Sequence, residues 1–376
     1  MAACCLLPFE SLHPTMSANQ KFASLQILRA LAAWTVVFHH FMQWYFGFRA
    51  STPVGTFFSE YGFMGVDVFF VISGFVVFLM AEKSSAGPAG FLVNRFFRIV
   101  PIYWTYVLIV IVCIRVFPRG FDYTGYDLRS LIETVTFLPS WNPTGLGYFP
   151  VLVVGWTLNF EVFFYISLAF CMLLSRKHFL SILACTFVVL PLAYPKNIFY
   201  SEVAGSAHLW EFLLGAAIAV AWRNPKLSSF VTRCTGLALT GVAVLLLLSI
   251  GTLPKFRGTV SVAGLVVVLA LLLDRYISSE AAIIRWLVKL GDESYSTYLV
   301  HGIVLGVFIN STGKDISQVE EFAILLGYIL GVHMLSALSY RYLERSSSLS
   351  AVQRWVMSRV ASKKDLRSDP VGPAAP

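Results

Sequence analysis

Apolar runs of membrane-spanning length recur along most of the chain, at about residues 25–46, 62–80, 99–117, 151–174, 179–194, 203–222, 237–250, 259–273, 293–308 and 322–339. A helix of about 20 apolar residues crosses the hydrocarbon of a bilayer, so the pattern predicts an all-α, polytopic integral membrane helical bundle of about ten transmembrane helices. The longest break in it, residues 118–150, is rich in Gly, Pro, Tyr and Asp and reads as an outside loop. Residues 1–20 read as a disordered amino-terminal tail, 21–346 as the transmembrane domain and 347–376 as a basic cytoplasmic tail. Within that tail Leu349, Val352, Val356 and Val360 form an apolar stripe with Arg354, Arg359 and Lys363 off it, the pattern of a short interfacial helix. The last ten residues read as disordered.

Composition agrees with the pattern, since 57% of the 376 residues are hydrophobic and only 13% charged, a balance no soluble domain of this size needs. The net charge of +8 calls for no nucleic acid, because Lys and Arg beside a membrane face anionic lipid. Those residues lie in excess on the side that carries both termini, which places both ends in the cytoplasm. Six cysteines show no metal spacing, and neither a CxxC nor an H-x-x-x-H pair occurs, so no metal centre and no disulfide framework are expected.

Polar side chains inside the apolar runs carry the candidate chemistry, because an ionisable group in hydrocarbon is costly and is retained where it acts. The first run holds Arg29, His39 and His40. The step from Arg29 to His40 rises about 16 Å and returns to within about 20° of one helix face, a spacing expected to place both side chains along one groove, while His39 falls about 80° away. Asp67, Glu161 and Glu211 enter their helices at depths comparable to that of His40, and a carboxylate beside an imidazole orients its ring and raises its basicity. Tyr165 shares a face with Glu161, and Tyr298 one with His301. Ahead of the third run, Arg95 and Arg98 lie three apart before Pro101; they suit either a positive-inside boundary or a phosphate clamp. Gly65 and Gly74 read as packing positions.

In their order and spacing these residues resemble acyltransferase family 3, integral membrane enzymes that O-acylate bacterial cell-surface sugars. The resemblance covers about residues 22–345. It rests on Arg29 and His40 as R-x10-H, on GVDVFFVISGF with Asp67 and Ser73, on Arg95 and Arg98 before Pro101, and on WTLNFE with Trp156, Glu161 and then Tyr165. EFLLG from Glu211 and SYSTYLVH with Tyr298 and His301 complete the set. Within the family the first helix, LRALAA preceded by Gln26 and Ile27, is most similar to exopolysaccharide O-acetyltransferases. Glu344–Arg345 stands where the family has Glu-Pro.

The resemblance implies an acetyltransferase of the bacterial plasma (inner) membrane that moves an acetyl group from cytoplasmic acetyl-CoA to a hydroxyl of a saccharide. No tightly bound cofactor is implied. Arg29, Arg95 and Arg98 would hold the CoA phosphates, and His40 would serve as base with Asp67 or Glu161 orienting it; direct transfer and an acyl-histidine intermediate both fit. Ser73, Trp156, Tyr165, Glu211, Tyr298 and His301 are further candidates for the site. A transporter or flippase of saccharides is the rival class, since buried charges also line transport paths, but the two halves show no self-similarity of the kind transporters carry.

Overall fold

In the computed structural model, which describes residues 22–50, 52–84, 86–195, 200–226, 241, 257–277, 281–312 and 318–368, regular structure among the described residues is helical, apart from one isolated β-bridge between Asn142 and Gly147. In chain order the helices are α1 (Ala23–Phe46), α2 (Pro53–Tyr61), α3 (Met64–Lys83), α4 (Gly87–Val116), α5 (Leu128–Val135), α6 (Trp156–Leu174), α7 (Phe179–Ala193), α8 (Ser201–Ala204), α9 (Leu209–Arg223), α10 (Arg257–Leu273), α11 (Ala282–Asp292), α12 (Ser294–Thr312), α13 (Gln318–Ser339) and α14 (Ser347–Ser368). The chain is an all-α membrane bundle: α3, α4, the segment Val153–Leu174 and the segment Glu320–Val360 are each long and apolar enough to cross a membrane. Nine of the ten expected runs coincide with helices, namely α1, α3, α4, α6, α7, α9, α10, α12 and α13. The run at 237–250, the tail at 1–20 and residues 369–376 lie outside the described residues.

Packing around α1 and α3 sets the frame of the molecule. α1 touches α3, α11 and α12, while α3 lies along α9 and α10. The contact between α3 and α9 is a backbone crossing, in which Gly74 sits on the carbonyl of Phe212 and Gly215 on that of Val71. A side chain at either position would meet main chain, so both glycines are packing devices, as the sequence suggested for Gly74. α1 closes at Gly47 in the left-handed conformation (φ 54°), whose N–H returns to the carbonyl of Gln43. Large rings fill the interior, with Tyr103, Tyr328, Phe164 and Phe212 fully enclosed.

Three expectations change. α4 begins at Gly87 rather than near Ile99, so Arg95 and Arg98 lie within a helix and Pro101 stands in its middle. Basic residues interrupt the apolar run there without interrupting the helix, because α14 packs on this end of α4 and Gln353 Nε2 donates to Asn94 Oδ1 at 2.9 Å. α14 itself is 22 residues long and docked on the bundle, a larger element than the short helix expected in the tail. The long loop at residues 118–150 is also folded. Asp127 caps α5 in a capping box with Ser130, whose amide holds the Asp127 carboxyl below its ordinary value. Asn142, fully buried, donates to Thr124 Oγ1 at 3.0 Å, and Thr124 donates in turn to the carbonyl of Val151 at 2.9 Å.

Candidate active site

Two cavities meet inside the bundle, and Val66 of α3 and Tyr298 of α12 line both. Tyr298 is fixed in that wall, since its hydroxyl donates to the carbonyl of Val154 at 2.9 Å and accepts from Thr157 Oγ1 at 3.1 Å. Arg29 and His40 of α1 open on different sides of it. The spacing along α1 therefore joins two chambers rather than lining a single groove.

The first chamber, about 130 Å³, is the arginine cavity, lined by Arg29, Arg95, Arg98, Ser73, Glu161 and Tyr165 among others. Ser73 Oγ donates to Glu161 Oε1 at 3.1 Å, and the Tyr165 hydroxyl donates to the same oxygen. The Arg95 guanidinium lies 5.9 Å from the Tyr165 ring centre. Arg98 pairs with Glu344 at 2.6 Å, and the other oxygen of that carboxylate accepts from the N–H and hydroxyl of Ser296 at 3.2 and 2.5 Å. Glu344 belongs to a π-helical turn, Tyr340–Glu344, that ends α13, a geometry frequent at functional sites. Three guanidiniums face two carboxylates here, which leaves the chamber suited to an anionic group.

The second chamber, about 620 Å³, is the histidine cavity, lined by His39, His40, His208 and His301 together with aromatic side chains. His40 Nδ1 lies 2.8 Å from Gln43 Oε1. Its ring stacks on that of His301 at 5.2 Å and 22°, and His301 is fully enclosed. His39 borders the same cavity but is tied to α2, where its Nδ1 donates to the carbonyl of Phe58 at 2.9 Å. The two neighbouring imidazoles thus face different elements, as their helical spacing required.

The carboxylates expected beside His40 are elsewhere. Glu161 belongs to the arginine cavity, through Ser73 and Tyr165. Asp67 and Glu211, 2% and 1% exposed, form a third cluster with His208, whose Nδ1 lies 3.1 Å from Glu211 Oε1 and 3.9 Å from Asp67 Oδ1. Depth along a helix does not fix the direction a side chain faces, and the glycine crossing of α3 with α9 brings Asp67 to His208 rather than to His40. The donor atoms of Asp67, His208 and Glu211 lie within 4.8 Å of one another, and the imidazole meets the need of two buried carboxylates for a partner. Trp156 packs over His208, ring centres 5.7 Å apart.

Sequence reasoning passed over Gln43 and His208, and named Glu344 only as part of the boundary pair Glu344–Arg345. Spacing could have found the first two, because Gln43 follows His40 by three and His208 precedes Glu211 by three, each pair on one helical face. Glu344 contacts Arg98 across a sequence separation of 246, and no local pattern reveals such a partner.

Residues 22–341 match a family model described as an acyltransferase domain. Among curated relatives, the exopolysaccharide production protein ExoZ of Rhizobium meliloti is 32% identical over 79% of this chain and 93% of its own length. A protein of Komagataeibacter xylinus provisionally named as the membrane-bound transacylase BcsY is 28% identical over 76% of each chain. The peptidoglycan O-acetyltransferase OatA of Listeria monocytogenes is 24% identical over 88% of this chain and 56% of its own length. No solved structure matches the chain.

Proposed function

The chain belongs to acyltransferase family 3 and is a membrane acyltransferase, and on that premise we propose that it transfers an acetyl group from acetyl-CoA in the arginine cavity to a saccharide hydroxyl in the histidine cavity. The observation that carries this reading is the shared wall at Val66 and Tyr298. A guanidinium cluster for phosphates stands on one side of it and an imidazole on the other, so a thioester could reach the base while the nucleotide stays behind.

His40 Nε2 takes the proton of the acceptor hydroxyl as that oxygen attacks the thioester carbonyl. The tetrahedral intermediate then collapses, the C–S bond breaks, and the imidazolium returns the proton to the departing CoA thiolate. Arg29, Arg95 and Arg98 bind the donor phosphates, and Glu161 holds Tyr165 and Ser73 along the path. Trp156, Tyr148 and Asn159 line the acceptor side, where aromatic faces and an amide suit a sugar ring. The relatives named for exopolysaccharide production and for O-acetylation of peptidoglycan support a saccharide acceptor. By the same reading the arginine cavity opens to the cytoplasm of a bacterial inner membrane.

Purified protein should release CoA from acetyl-CoA in the presence of saccharide acceptor. His40→Ala should lower kcat by at least about 100-fold, whereas His39→Ala, whose ring is committed to Phe58, should stay within a few-fold. Full turnover by the His40 variant would remove the mechanism, and equal loss in both would remove the distinction between the two faces.

A further inference from the structure

We infer that Gln43 is a positioning residue that fixes the His40 tautomer, placing the proton on Nδ1 and the basic lone pair on Nε2. The inference rests on the reading of His40 as the base. At 2.8 Å from Nδ1, Gln43 Oε1 is a carbonyl oxygen and only accepts; the ring nitrogen facing it therefore carries the hydrogen, and a neutral imidazole then has its lone pair on the other nitrogen.

The arrangement is built into α1. Gln43 stands three residues after His40, so the two side chains share a helical face, and both line the histidine cavity. The carbonyl of Gln43 also accepts from the left-handed cap at Gly47, which anchors the residue at the end of the helix. On the other side the His301 ring lies nearly parallel to that of His40 and limits its rotation. The orienting partner is thus a neutral amide and not one of the carboxylates: Asp67 is taken by His208 and Glu211, and Glu161 by Ser73 and Tyr165. An amide selects the tautomer without adding a buried negative charge to the cavity.

Tautomer selection and mere packing predict opposite orders for two substitutions. Gln43→Met conserves length and apolar contact but removes the acceptor, and kcat should fall about 100-fold with KM for acetyl-CoA unchanged within about two-fold. Gln43→Glu retains an acceptor oxygen and should stay within about ten-fold of the original kcat. If Gln43 only fills space, the methionine variant will be the more active of the two, and that order overturns the inference.

A second measurement needs no substitution at Gln43. In protein carrying ¹⁵N-labelled histidine, solid-state NMR should find His40, assigned by its absence in His40→Ala, protonated at Nδ1 and bare at Nε2; the reverse assignment overturns the inference. Loss of activity in His40→Ala together with the packing order at Gln43 would sink this inference and leave the proposed function standing. Full activity in His40→Ala would sink both.

Discussion

At the scale of single residues, the identities of the buried polar groups were legible, as were partners on the same helix such as Tyr165 and Glu161, but partners on other helices were not. Arg29, His40, Asp67 and Glu161 stand out because apolar helices carry few such residues, yet only azimuth decides what each one meets. Asp67 illustrates this, since its carboxylate faces His208, one of the residues that spacing could have revealed. His208 is the cation, or the hydrogen-bond donor, available to two carboxylates that have almost no contact with solvent. Removing one partner from such a cluster leaves the remaining groups buried without compensation. His208→Ala should therefore destabilise the protein by about 3 kcal/mol, seen as earlier thermal unfolding in detergent. Adding Glu211→Gln and Asp67→Asn to that variant should recover much of the loss, because the charges that needed the imidazole are gone. If the triple variant is no more stable than the single one, the cluster is held by something other than this pairing.

At the scale of elements, apolar runs located helices wherever the whole helix sits among apolar neighbours, and failed where a helix continues past them. The first turns of α4 carry Asn94, Arg95 and Arg98, which ended the run but not the hydrogen-bonded backbone. The folded loop at 118–150 was hidden for a related reason: its order comes from buried side-chain bonds of Asn142 and Thr124, not from periodic hydrophobicity. Glycine was the better guide. Gly74, read as a close-packing residue, lies with Gly215 at the crossing of α3 with α9. Gly74→Val should force those backbones apart and cost at least about 2 kcal/mol, with loss of acyl transfer, because α3 also carries Ser73 and Val66 of the cavities. The same thermal measurement on Ile166→Val, at a position 55% exposed on α6, should register almost no change. A stable, active Gly74 variant would show that the crossing has slack.

At the scale of the whole molecule, the order of motifs pointed to the family, while the division into two chambers did not appear until the helices were assembled. No single helix encodes that division, since its wall takes Val66 from α3 and Tyr298 from α12. The ends of the bundle are chemically unlike. The arginine cavity lies beside the α4 segment on which α14 is docked, and the histidine cavity is walled in part by Tyr123 and Tyr148 of the long loop. Such polarity makes the proposed reaction vectorial, with donor consumed at one membrane face and acceptor modified at the other. Inside-out vesicles should release CoA from acetyl-CoA supplied in the medium, whereas sealed right-side-out vesicles should do so only after permeabilisation. Arg29→Gln and Arg95→Gln should each raise KM for acetyl-CoA about ten-fold in the inside-out preparation, since one charge-assisted contact to phosphate contributes about 1.4 kcal/mol or more, with kcat little changed. Turnover confined to sealed right-side-out vesicles would place the guanidiniums at the opposite face, and the donor would then have to be an external acyl compound rather than the cytoplasmic thioester.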